Sequence, residues 1–333
     1  VKVARILIAA FVLAGAAAGG YWYVTRPAAV ATVTPTRGEA AAIVYAAGVV
    51  EPRTWAKVTS LVRERIVSIC GCEGSRIEKG DELARLDDTE AQAVLTELKA
   101  RHRLAVDDRD RIALLVERNV VNTTQLDRAQ SEVNQIEALI AGQAARLENH
   151  ILRAPSDGVV LRQDAEVGEI AEPGTALYWV GRLRPLIVVA EVNEEDIPRV
   201  EVGQTAHLTS DAFPSRTLEA QVDSITPKGD PVSKTYRVKL RLPDDTPLMI
   251  GMSVDANIVT RLVEDALLVP SPALRDGKLF VIENGRAARR AVETGIRGTV
   301  NTQILSGLGD DARIVSPYPE ELADGARVTT ETR

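Results

Sequence analysis

The sequence predicts an elongated, multidomain, mainly β chain interrupted by an α-helical coiled-coil hairpin. Three observations predict it. Two segments share the spacing G-x5-G-x2-L: Gly74, Gly80 and Leu83, then Gly168, Gly174 and Leu177. The apolar register runs on to Leu86 in the first and Val180 in the second, so they read as two halves of a small two-fold β-domain. Between them, residues 89–150 carry heptad-spaced apolar positions and no Pro. From residue 185 onward, short apolar runs alternate with Pro, Gly and Asp turns, the pattern of small antiparallel β-units.

In chain order, residues 1–25 read as a transmembrane helix. Ile6 to Val24 is uncharged and apolar or small throughout, and about 20 such residues span a bilayer core. Lys2 and Arg5 precede it, which keeps the N-terminus cytoplasmic and sends the body outward. Tyr21, Trp22 and Tyr23 fall where interfacial aromatics anchor. Ala14-Gly15-Ala16 and Ala16-Ala17-Ala18 also fit small-residue cleavage sites, so a removed signal peptide is the alternative. Residues 26–41, rich in Pro, Ala and Thr, read as an extended tether. The split β-domain takes 42–88 and 151–184.

The hairpin takes residues 89–150. Asp88 or Thr89 can cap its first helix. There Ala91, Leu98, Ala105 and Ile112 recur every seven residues, with Val94, Arg101, Asp108 and Leu115 as companion positions. In the second helix Leu126, Ala129, Val133, Ile136, Ile140, Gln143 and Leu147 give a 3-4 spacing. Two such seams pack as an antiparallel coiled coil. The pattern breaks at 119–124, where Asn122 or Thr123 can cap the second helix. Helices of roughly 28 residues would project about 40 Å. Residues 185–262 read as a small β-barrel, with 193–200 as one short helix. Residues 263–333 read as a last β-unit, with strands at 279–282, 291–294 and 313–316. The tether and this unit bracket everything else and can lie together in space.

Composition excludes several functions. A net charge of −7 with no long basic run argues against a nucleic-acid binder. Aromatics are 4% of residues, too few for a base-stacking surface. Three scattered His (His102, His150, His207) and two Cys are a poor supply of metal ligands. No phosphate-binding loop, nucleophile elbow or zinc-binding helix motif occurs. The acidic runs Asp87-Asp88 and Glu194-Glu195-Asp196 read as a helix cap and an exposed helix start. Cys70 and Cys72 share one face of a strand and read either as a small disulfide or as two free, partly packed thiols.

The split β-domain resembles lipoyl and biotinyl carrier domains. Those present a Lys on the hairpin that joins their halves. Here a 62-residue insert replaces that junction, so neither a carrier Lys nor a cofactor is expected. The whole layout resembles the periplasmic adaptor subunits, or membrane fusion proteins, of tripartite efflux and secretion systems. The order matches: anchor, first lipoyl-like half, α-hairpin, second half, β-barrel, membrane-proximal domain. Segments of family character are Gly48-Val49-Val50-Glu51-Pro52, Glu73-Gly74, Lys79-Gly80, Leu152 to Val160, Gly251-Met252-Ser253-Val254 and Leu268 to Leu274.

The resemblance implies a lipoyl-like barrel-sandwich domain, a membrane-proximal β-domain and no enzymatic activity. It also implies an inner-membrane transporter, an outer-membrane channel and a homo-oligomeric ring, a hexamer in the family, as partners. The body would lie in the periplasm on a single N-terminal span. The family often carries R-x3-L-x6-S at the hairpin tip. Arg111 and Leu115 fit the first two places, and Asn122, with Thr123 beside it, stands in the third. A proton-driven transporter of the resistance-nodulation-division type is favoured over an ATP-driven one. An exported lipoyl-domain enzyme and a cell-envelope spacer are the alternatives of a different class.

Overall fold

A computed structural model describes residues 27–331. The expected membrane anchor at 1–25 lies outside the described residues. The chain divides into two units.

One unit holds residues 49–189 and 241–253. Its β part is two four-stranded sheets. The first runs Trp55–Thr59, Ala176–Gly181, Gly158–Gln163, Arg76–Ile77; the second runs Ile151–Arg153, Glu82–Leu86, Glu64–Ile69, Ile170–Ala171. The two sheets are copies of each other, offset by the 94 residues that separate Gly74 from Gly168. Arg76 pairs with Val159 and Ile77 with Gly158; at the same offset Ile170 pairs with Arg65 and Ala171 with Glu64. The Gly74 amide donates to the Val160 carbonyl, and the Gly168 amide to that of Ile66, both at 2.8 Å. The core repeats too. Val58, Ile66, Ile77, Leu83 and Leu86 face their counterparts Leu152, Val160, Ala171, Leu177 and Val180 in one buried cluster. The symmetry breaks at one central pair, where Tyr178 stands opposite Ala84 and its bulk fills the space the small residue leaves.

The hairpin rises from this base. Helix α1 (Thr89–Glu117) and helix α2 (Thr123–Glu148) pair along their lengths in antiparallel order. The α2 seam has the expected spacing, with Val133, Ile136 and Gln143 buried. The α1 seam differs from expectation. Val94, Arg101 and Asp108 are exposed; Leu95 is buried and His102, Arg109 and Val116 are half-buried. A helix offers i+3 and i+4 neighbours of nearly equal reach, and the partner helix selects between them. Here it selects i+4, placing two polar residues in the seam. Both bond across it: His102 with Glu137 at 3.1 Å, and Arg109 donating to Gln130 at 3.2 Å.

The other unit holds the remaining described residues. An eight-stranded sheet runs Thr205–Thr209, Leu218–Ile225, Thr235–Arg241, Leu186–Asn193, Thr36–Pro52, Ser253–Pro270, Asn301–Ser306, Glu293–Arg297. Its first six strands close into a ring, because Thr205–Thr209 also pairs with Ser253–Pro270. Alternate residues point inward, with Val44, Leu208, Leu240 and Ile258 fully enclosed. The expected short helix at 193–200 is a single 3-10 turn, Ile197–Arg199.

A second, five-stranded closed barrel joins Ala28–Val33, Ile314–Val315, Lys278–Glu283, Arg286–Ala291 and Ala326–Glu331. The stretch expected as a tether at 26–41 is therefore strand over most of its described residues. Ala28–Val33 pairs in parallel with Ala326–Glu331, and Thr36–Pro52 is already strand. The Ala/Val/Thr alternation supplies strand propensity, and Pro27 and Pro35 flank the strand rather than interrupt it. The expected strand at 291–294 is instead the junction of Arg286–Ala291 and Glu293–Arg297. Arg37 ties this region together, donating to Asp310 at 2.8 Å and Asp265 at 3.0 Å.

Candidate docking tip

The helical hairpin is the feature a bare two-fold β-domain would lack, and its free end is the candidate site. At 1.5 Å per residue, the 29 residues of α1 extend about 43 Å from the β base. The root is pinned by Asp87. Its carboxylate accepts the Thr89 amide at 3.0 Å and the Thr89 hydroxyl at 2.6 Å. Those two bonds hold the Asp87 carboxyl below its ordinary value, and the N-cap residue Asp88 makes no side-chain cap. The capping group thus lies one residue before the position expected. At the same end the Gln143 amide donates to the Ala91 carbonyl at 3.0 Å, so this buried polar side chain is satisfied.

The tip is a tight turn with a cap on each helix. Helix α1 ends with Asn119 in the left-handed region at φ 54°. The Asn119 amide donates to the Val116 carbonyl and the Val120 amide to that of Leu115, both at 2.9 Å. This is the Schellman arrangement, with Asn in place of the usual Gly. Asn122 then caps α2: its backbone is extended at φ −83°, ψ 160°, and its side-chain oxygen accepts the Gln125 amide at 3.2 Å. Two apolar side chains stand out from the capped tip. Val120 is 66% exposed and Leu114 54% exposed.

The four sequence-picked tip residues fall within the last turns of the hairpin, with different environments. Arg111 is exposed, its guanidinium 2.7 Å from Asp108. Leu115 is half-buried against the partner helix, and Asn122 and Thr123 are exposed. The sequence pattern did not single out the exposed apolar pair Leu114 and Val120. It could have done so: Leu114 lies off the heptad seam, and Val120 sits in a turn where a polar residue is usual.

The four glycines of the repeat all have positive φ: Gly74 76°, Gly80 96°, Gly168 95° and Gly174 84°. Only Gly takes such angles without strain. Their place is the two equivalent corners of the β base, Gly74 bonding to Val160 and Gly168 to Ile66. Cys70 and Cys72 are joined as a disulfide in the strand-to-turn segment before Gly74. Tyr178, enclosed in the centre, donates its hydroxyl to the Leu83 carbonyl at 2.8 Å, and burial pushes its phenol up to about 12. Among the described residues no group of His, Cys, Asp and Glu is placed to hold a metal ion.

Comparison with known proteins bears on this arrangement. Residues 186–261 match the family model described as a CusB-like β-barrel domain. The multidrug resistance protein MdtA of Salmonella typhi is 26% identical over 311 residues, covering 84% of this chain and 75% of that protein. MdtA of Yersinia pseudotuberculosis is 25% identical over 340 residues, covering 92% of this chain and 77% of that protein. Among solved structures, a MacA-MexA chimera containing the Pseudomonas aeruginosa MexA α-hairpin domain superposes with a TM-score of 0.66. It is 24% identical and covers 86% of this chain and 98% of the chimera. MacA from Actinobacillus actinomycetemcomitans gives a TM-score of 0.57 at 22% identity, covering 85% of this chain and 98% of that chain.

Proposed function

We infer that this chain, similar along most of its length to MdtA proteins and built on the fold of the membrane fusion proteins, is the periplasmic adaptor of a tripartite efflux system. The observation that carries the inference is the join between the two-fold β base and the 29-residue and 26-residue paired helices. A carrier domain presents a modifiable Lys at that join; this chain presents a long arm closed by a capped turn. The role is assembly rather than catalysis. The match of residues 186–261 to a β-barrel family model of the resistance-nodulation-division class supports a transporter of that class over an ATP-driven one.

In this reading the apolar stretch at 6–24 holds the chain in the inner membrane, and the body works in the periplasm. The tip docks on the periplasmic end of an outer-membrane channel. Arg111 and Thr123 offer polar contacts there, while Leu114 and Val120 offer apolar surface. Leu115 and Asn122 hold the turn in shape, Leu115 by packing and Asn122 by capping. The helices wind as a coiled coil. One tip is a small contact, and copies arranged in a ring multiply weak contacts into a stable assembly. The lipoyl-like units form that ring, and the β-barrel and last β-unit meet the transporter.

The test is efflux in cells. A strain lacking the chain accumulates a dye pumped by the cognate transporter. The full chain restores export, whereas a variant with residues 89–150 replaced by a two-residue turn folds at its β base and does not. Restoration by that variant would overturn the reading.

A further inference from the structure

The unit that contains the two closed barrels also contains a cleft that the adaptor reading leaves without a role. Its volume is about 990 Å³, and it lies between the strands Thr36–Pro52 and Ser253–Pro270 and the turn after Glu293–Arg297. Three guanidiniums line it, from Arg199, Arg261 and Arg297, and no carboxylate does. In a chain of net charge −7 this is a local reversal of sign. Arg199 is held by Asp196. Arg297 donates only to a neutral acceptor, the Thr294 hydroxyl, at 3.1 Å. Arg261 has no carboxylate partner among the described residues. Two full positive charges therefore face one space without compensation.

The walls add a second chemistry. Tyr45 is 61% exposed there, and Ile43 and Ile296 form the apolar side. The floor is fixed, since the Thr260 hydroxyl donates to the Ala42 carbonyl at 3.1 Å and stitches the two long strands. Guanidinium forks match the oxygen geometry of phosphate better than any other side chain does. The volume is that of a small-molecule site.

We propose that this cleft binds a phosphate oxyanion, free or as the headgroup of an anionic amphiphile whose apolar part lies along Tyr45, Ile43 and Ile296. The oxyanion sits between Arg261 and Arg297, with Arg199 closing the third side. The inference goes beyond the adaptor reading and does not depend on it, because binding is measured on the isolated chain.

The experiment is calorimetric titration of the detergent-solubilised full chain with three probes: inorganic phosphate, a short-chain phosphatidylglycerol and the matching phosphatidylcholine. Phosphatidylglycerol binds and phosphatidylcholine does not. Tighter binding of phosphatidylglycerol than of phosphate identifies an amphiphile as the occupant; equal affinity identifies the free anion, with the same arginines holding it. Arg261→Ala weakens binding roughly tenfold or more, Arg261→Lys less, and the Arg261→Ala/Arg297→Ala pair roughly a hundredfold. Both side chains are exposed, so the fold survives; Arg128→Ala on the hairpin leaves binding unchanged. Affinity falls as salt rises, because the site is open to solvent. Absence of binding by both phosphate and phosphatidylglycerol would overturn the proposal, as would binding that the double variant leaves intact.

Discussion

Tyr178 gives the sharpest test of the two-fold core. It is fully enclosed, and its counterpart across the pseudo-axis is Ala84. Two substitutions separate its two contributions. Tyr178→Phe removes only the hydroxyl. The Leu83 carbonyl it served also accepts the Cys70 amide at 2.9 Å, so that oxygen is not orphaned. The cost should sit near the low end for a buried hydrogen bond, about 1 kcal/mol. Tyr178→Ala leaves alanines on both sides of the axis and nothing to fill the space, and should cost about 3–5 kcal/mol.

Urea unfolding followed by tryptophan emission reads this unit, because Trp55 and Trp179 both lie in it. With a slope of about 2 kcal/mol per molar urea, the Phe variant should lower the midpoint by roughly 0.5 M and the Ala variant by roughly 2 M. Equal losses from the two variants would show that the hydrogen bond, not the volume, holds the centre. A loss under about 0.5 M for Tyr178→Ala would refute the packing account altogether. The same residue sets a pH limit. Its phenol is raised from 10.0 to about 12 in the folded state, so the neutral form favours folding. That contribution is complete below pH 10 and is lost as pH rises towards 12, as the unfolded chain ionises first. Ultraviolet titration of wild type minus Tyr178→Phe should show one phenol ionising near 12; a difference step near 10 would contradict the burial.

Two further predictions follow from backbone geometry. Asn122→Ala removes the cap of α2 and should cost about 1 kcal/mol, seen as faster amide exchange at Gln125, while Asn122→Ser, a residue that also caps, should restore protection. Gly74→Ala and Gly168→Ala should each cost about 1–3 kcal/mol and by similar amounts, because both residues hold equivalent left-handed corners; a large inequality in unfolding midpoints would argue against the duplication.

The two-fold base was legible because its signal is chemical. Glycine at a left-handed corner is required by the backbone, so the G-x5-G spacing marks the fold directly. The seam of α2 was legible for the same kind of reason, since its apolar residues keep a 3-4 rhythm. The seam of α1 was not, because His102 and Arg109 occupy it and bond across to residues on the other helix, Glu137 and Gln130. The strand Ala28–Val33 was hidden because its partner lies about 300 residues away along the chain, and pairing at that separation leaves no local trace. The strand Arg286–Ala291 was hidden by its composition: only Ala287 points inward, and the rest is polar or small. At the tip, Asn122 was read from the sequence both as a cap and as part of a docking motif. The structure gives it the capping bond and leaves Leu114 and Val120 as the exposed apolar surface.

The central claim is that the hairpin is an arm whose end meets a partner in another membrane. A photo-reactive residue at Val120, in cells that export the substrate, tests it most directly. The account predicts capture of an outer-membrane channel from Val120 and none from Thr96, near the root of α1. Capture from Thr96 but not from Val120, or no outer-membrane product from Val120 in export-competent cells, would contradict it.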